Sequence, residues 1–103
     1  THKQELRDTA QEALDNNIRI FVTEFGTTDA SGDGYIDVDE ANTWWAFLDE
    51  NKISWCNWSI ANKEESSAAL LPDASFTGGW NTSDLTQSGL MVREELKSKN
   101  PQF

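Results

Sequence analysis

Two short runs of β-branched and aromatic residues, separated by one helical stretch, constrain this chain more than anything else in it. The first is Ile18-Arg19-Ile20-Phe21-Val22-Thr23 and the second is Ile53-Ser54-Trp55-Cys56-Asn57-Trp58. Such compositions read as strands. Between them, residues 38–50 place Ala41, Trp44, Trp45 and Leu48 on one face of a helix. A strand, a crossover helix and a second strand make parallel neighbours in a right-handed unit. Residues 3–15 repeat the helical pattern with Leu6, Ala10, Ala13 and Leu14, and residues 86–98 place Leu85, Val92 and Leu96 roughly on one side. Asn16-Asn17, Asn51-Lys52 and Asn100-Pro101 serve as helix stops, since Asn tolerates positive φ and Pro cannot continue a helix. Polar loops cover 26–37 and 59–84. The expected class is α/β, in the order helix–strand–helix–strand–helix.

A lone parallel pair is a poor end point for folding. Parallel strands are normally covered on both faces within larger sheets, and two strands alone leave an open edge on each side. The chain is therefore expected to be part of something larger, or to find its missing neighbours in another molecule. It can fold: 37% of its 103 residues are apolar, with five Trp and five Phe. A net charge of −10 excludes a general affinity for nucleic acid or for anionic membrane surfaces. No run approaches the roughly 18 apolar residues of a membrane span, and no signal-peptide pattern opens the sequence. Cys56 is the only cysteine, so no internal disulfide forms, and its place in a strand predicts a buried structural thiol. With one His and one Cys, most nucleophilic and zinc chemistries are excluded, and no phosphate-binding loop, dinucleotide fingerprint, zinc cluster or serine triad occurs.

Three groups of residues carry possible chemistry. Glu24 follows the first strand, at the carboxyl end where α/β sheets and barrels place reacting groups. It reads either as a functional carboxylate or as an ordinary solvated Glu. Strand alternation puts Trp58 on the face opposite Trp55 and Asn57, opening on the same rim as Glu24. A flat indole suits the axial C–H face of a sugar, whereas Trp44, Trp45 and Trp55 read as core. The third group competes with the others. Residues 29–40 fit a twelve-residue calcium loop, with oxygens from Asp29, Ser31, Asp33, the Tyr35 carbonyl, Asp37 through water and Glu40, and with Gly34 at the turn. Yet the loop is entered from a strand, and Asp37 with Glu40 is also a capping box for the helix that follows. Both readings stay open.

Several segments also resemble a known family. Phe21-Val22-Thr23-Glu24-Phe25-Gly26-Thr27, Ser54-Trp55-Cys56-Asn57-Trp58-Ser59, Lys63-Glu64-Glu65-Ser66-Ser67-Ala68-Ala69-Leu70 and Gly78-Gly79-Trp80 are similar, in this order and at these separations, to the C-terminal part of bacterial endoglucanases of glycoside hydrolase family 5. Phe25 stands where that family usually has Trp, and Cys56 where it often has Ala. The resemblance implies a partial (β/α)8 TIM barrel running α6-β7-α7-β8-α8, with residues 1–103 as the C-terminal portion of an incomplete catalytic domain. It implies retaining hydrolysis of β-1,4-glucan, no cofactor in the chemical step, and a secreted protein. Glu24 matches the catalytic nucleophile, and Trp58 the tryptophan beside the sugar at the cleavage point. Lys63 and Glu65 match polar residues that hold sugars on the non-reducing side, and Ala30 a loop position lining that side. His2 matches a frequent loop His and receives no role.

A retaining glycosidase needs two carboxyl groups roughly 5–5.5 Å apart. The family's acid/base lies on a fourth strand that this sequence does not contain, and a whole barrel takes about 250 residues. The chain alone is therefore expected to be inactive. Its expected partners are β-1,4-glucan and either the N-terminal part of the same barrel or further copies of itself, so that an ordered chain on its own should be an oligomer. The competing expectation is a non-catalytic carbohydrate- or calcium-binding module, with Ca²⁺ as a structural ion.

Overall fold

The computed structural model describes residues 3–101, so His2 lies outside the described residues. Three helices, α1 (Gln4–Asp15), α2 (Val38–Glu50) and α3 (Gln87–Lys99), alternate with two strands, β1 (Val22–Phe25) and β2 (Trp55–Asn57). A single 3-10 turn, Thr82–Asp84, precedes α3.

The helix ends follow from their punctuation. Asn17 adopts a φ of 60° just past α1, and Lys52 a φ of 55° just past α2. After α2 the Ile53 N–H returns to the Leu48 carbonyl at 2.8 Å. Asp37 caps α2 by accepting from the Glu40 N–H at 3.1 Å. Thr86 caps α3 by accepting from the Gly89 N–H at 3.0 Å, and its hydroxyl donates to the Ala68 carbonyl. The α3 cap thus also ties the helix to the long preceding loop.

The strands are shorter than their apolar runs. The expected 18–23 becomes Val22–Phe25, and the expected 53–58 becomes Trp55–Asn57. A ladder extends only as far as both partners supply backbone, and Ile53 is already engaged in closing α2. Pairing is parallel, with Val22 opposite Trp55 and Phe25 opposite Asn57. The first strand takes three steps where the second takes two, so β1 carries one extra residue as a bulge. Glu24 lies inside this strand and not beyond its end.

One face of the pair packs on the helices. Phe25, Ala41, Trp45, Leu48, Ile53 and Val92 form the buried cluster, with Ile20, Val22 and Trp55 against it. The Phe25 ring centroid lies 5.4 Å from that of Trp45 and 5.3 Å from that of Trp55. Each fully buried side chain of this size contributes about 1.5–3 kcal/mol. Trp45 and Trp55 are core, as expected.

The other face is open. Phe21 and Cys56 are exposed there, which corrects the expectation of a buried thiol. Cys56 alternates with Trp55 and Asn57, so it points away from the helices packed on the opposite face. The accessible surface is 6954 Å², against about 5,800 Å² for a typical closed monomer of 11.6 kDa. Among the described residues, no helix is long and apolar enough to cross a membrane.

The flanking helices differ from a simple apolar-in pattern. On α1 it is Arg7 that is buried, while Leu6 is exposed; on α3 Ser88, Gly89 and Val92 are buried and Leu96 is exposed. Arg7 pairs with Glu40 and stacks over the Trp44 ring at 5.1 Å, so its burial is compensated. The loop 59–84 is not merely a polar connection. Ser67, Ala68, Leu70 and Ala74 are buried within it, and Leu70 bridges to Leu85. Gly89 allows this packing, since a Cβ there would sit 2.1 Å from the Ala69 carbonyl oxygen.

Candidate active site

The bulge in β1 builds the site. Strict alternation would place Glu24 on the same face as Val22, against the helices. The extra residue resets the phase, so that Phe25 enters the core while Thr23 and Glu24 are both exposed. Neighbouring β2 ends in the same direction, and the Trp58 N–H donates to the Phe25 carbonyl at 2.7 Å. Trp58 then lies 45% exposed, and its peptide bond to Ser59 is cis.

Glu24, Ala30, Trp58 and Glu65 line one open groove of about 740 Å³. Four of the five residues expected in a sugar site therefore share a surface. The fifth, Lys63, joins them through an ion pair with Glu65. Among the described residues, the Glu24 carboxylate makes no hydrogen bond and no ion pair, which leaves its oxygens available to a ligand. The other carboxylates along the groove are engaged. Asp29 accepts from Ser31, Asp37 from Lys3 at 3.1 Å, Glu40 from Arg7, and Glu65 pairs with Lys63. Along the groove an unengaged Glu24 thus shares a wall with the exposed indole of Trp58 and with the Lys63–Glu65 pair. Among the described residues, no second unengaged carboxyl group lines it.

These partners also set the electrostatics. The Glu40 N–H, and after it the Lys3 ammonium, hold the Asp37 carboxyl below its ordinary value. The Ser31 hydroxyl and backbone N–H do the same for Asp29. Hydrogen bonding to Asp37 raises Lys3 in return.

The same engagements answer the calcium reading. Ser31 donates to Asp29 through both its backbone and its hydroxyl. The Asp33 carboxylate accepts from the Ser66 N–H at 3.0 Å, and Asp37 caps α2. Glu40 turns away to Arg7, so only half of the capping box forms. Tyr35 stands exposed at the loop. Among the described residues, no group of three or more His, Cys, Asp or Glu is arranged to hold a metal. Of the expected ligands Asp29, Ser31, Asp33, Tyr35, Asp37 and Glu40, the four carboxylates and the Ser31 hydroxyl are thus engaged by partners within the protein.

Sequence alone did not mark Tyr35, Lys3 or Trp44 as groove-lining residues, although all three are. Trp44, read as core, is only half-buried. Nor did it mark Gly32 and Ser67, which bring the loop after β1 against the segment bearing Glu65. The Gly32-Asp33-Gly34 run was the available signal, since glycine often marks a close backbone approach.

Comparison with known proteins identifies the family. The family model described as cellulase (glycosyl hydrolase family 5) matches residues 1–64. Endoglucanase A of Evansella cellulosilytica is 50% identical over 94% of the chain, and an endoglucanase of Clostridium saccharobutylicum is 49% identical over 97%. Among solved structures, a protein of Cytophaga hutchinsonii superposes with a TM-score of 0.96 at 56% identity, over 99% of this chain and 33% of that one. The endoglucanase catalytic domain of Thermobifida fusca, solved in complex with cellotetraose, superposes with a TM-score of 0.86 at 32% identity, over 94% of this chain and 32% of that one. The chain spans 20–22% of the length of these curated relatives. Its three helices and two parallel strands align with part of a TIM-barrel catalytic domain. A family match across more than half of the chain, supported along nearly its whole length by these relatives, shows that it belongs to glycosyl hydrolase family 5, the cellulase family.

Proposed function

We propose that this chain supplies the nucleophile-bearing end of a retaining endo-β-1,4-glucanase, in the segment order α6-β7-α7-β8-α8 of the barrel. The observation that carries the reading is the bulge, which turns an unengaged Glu24 onto the open face beside Trp58. Trp58 stacks on the sugar at the cleavage point. Lys63 and Glu65 hydrogen-bond sugar hydroxyls on the non-reducing side, and the small side chain of Ala30 leaves room there.

The reaction follows from the carboxylate's role. An ionised Glu24 attacks the anomeric carbon, the glycosidic C–O bond breaks, and an acid from another part of the barrel gives its proton to the leaving oxygen. The same group then takes a proton from water, and the hydroxyl formed displaces Glu24 to restore the β configuration. No other carboxylate of the groove is unengaged, which supports an acid/base from outside residues 3–101. The open face carrying Phe21 and Cys56 is where the rest of the barrel, or a second copy, covers the sheet. Because a glucan polymer is met outside the cell, the complete protein works as a secreted enzyme.

The test is mechanism-based labelling of the complete catalytic domain with a 2-deoxy-2-fluoro-cellobioside, followed by peptide mapping. The label should sit on Glu24. A label on any other carboxylate overturns the assignment.

A further inference from the structure

The acidic loop 29–40 is engaged with a second segment of the protein. Three contacts join it to the segment that carries Glu65. The Asp33 carboxylate accepts from the Ser66 N–H at 3.0 Å and from the Ser66 hydroxyl at 3.4 Å. The Gly32 carbonyl accepts from the Ser67 N–H at 2.9 Å. Gly32 itself has a φ of +79°, and a Cβ built there would lie 2.4 Å from Glu65 Oε1 and 3.2 Å from Ser67 Oγ. The bare glycine is therefore the wall against which the Glu65 carboxylate rests, while the hydrogen bonds hold the backbone on the C-terminal side of Glu65.

We propose that Gly32 and Asp33 are positioning residues for Glu65, setting where its carboxylate meets the sugar; this rests on the role given to Glu65 above. Without the Asp33 bonds, residues 66–67 lose their register against the loop after β1. With any side chain at position 32, the Glu65 carboxylate must leave its place beside Lys63. Neither residue touches the reacting atoms, so both act on sugar binding and not on the chemical step.

The test is a double-mutant cycle in the complete catalytic domain, with KM and kcat for cellopentaose and a thermal melt for every variant. Gly32→Ala and Asp33→Ala should each raise KM by about tenfold, with kcat within about twofold of the parent. In a Glu65→Ala background both substitutions should change KM by less than about twofold, because the group they position is gone. Asp33→Asn retains an acceptor oxygen and should keep most of the parent's KM. Equal effects of Gly32→Ala or Asp33→Ala with and without Glu65 would show a purely structural role and overturn the proposal. If Gly32→Ala does not fold, the Asp33→Ala and Asp33→Asn pair decides it alone. No change of KM in Glu65→Ala also overturns it, while labelling at Glu24 tests the wider reading separately.

Discussion

The two faces of the small sheet draw on the same two short runs of chain and differ in what covers them. On one face Phe25, Trp45, Trp55, Leu48 and Ile53 interlock, and the chain draws its stability from their burial. On the other, Phe21, Glu24, Cys56 and Trp58 stand in the open. The closed face accounts for why this segment folds, and the open face carries the residues assigned above to the proposed reaction. A single inserted residue in β1 decides on which of them Glu24 falls.

Substitutions on each face should separate these roles. The largest effect is expected at Glu24: in the complete catalytic domain, Glu24→Gln should lower kcat by roughly 10⁴-fold or more while leaving the melting temperature nearly unchanged. Retained activity would return Glu24 to the status of a solvated carboxylate. The next largest belongs to the closed face. Leu48, 1% exposed, should cost about 2–5 kcal/mol as Leu48→Ala in a urea titration, with no change in which residue is labelled.

Phe21→Asp probes the open face directly. The chain on its own should sediment as an oligomer held by this face, and Phe21→Asp should return it to a monomer. The unfolding free energy of that monomer should change by no more than about 0.5 kcal/mol. A parent chain that sediments as a well-folded monomer would break the comparison.

The smallest effect concerns pH. Asp37 and Asp29 are held below their ordinary value of 3.8, so they favour the folded state above it and lose that contribution as pH falls through their lowered values. Lys3 is raised above 10.5, so its contribution is complete below that value and fades as pH rises past it. Melting measured from pH 7 downward should therefore weaken below about pH 4, and Asp37→Asn should flatten part of that slope.

Much of this was legible in the residue order. The helices stood out because their apolar periods end at Asn-rich stops, and Asn17 and Lys52 do adopt the left-handed turn there. The parallel pair was legible because one crossover helix separates two strand-like runs. The strand limits were not, since pairing depends on what the partner strand leaves available. Arg7 looked like a solvent-facing charge, and its ion pair with Glu40, its hydrogen bond to Gln4 and its stacking on Trp44 compensate its burial. Asp29 to Glu40 read equally well as a metal loop or as turns and a cap. Spacing along a chain specifies ligand order but not the direction in which each oxygen points.

By itself, the sequence determined the helix–strand–helix–strand–helix order, the family and the residue types that suit a sugar site, because periodicity, stops and motif spacing are local. Only the tertiary structure decided that Glu24 is exposed while Phe25 is buried, that Cys56 lies open, and that Gly32 and Asp33 meet the segment carrying Glu65. Those outcomes depend on register between strands and on contacts between loops more than thirty residues apart, and no local pattern encodes either.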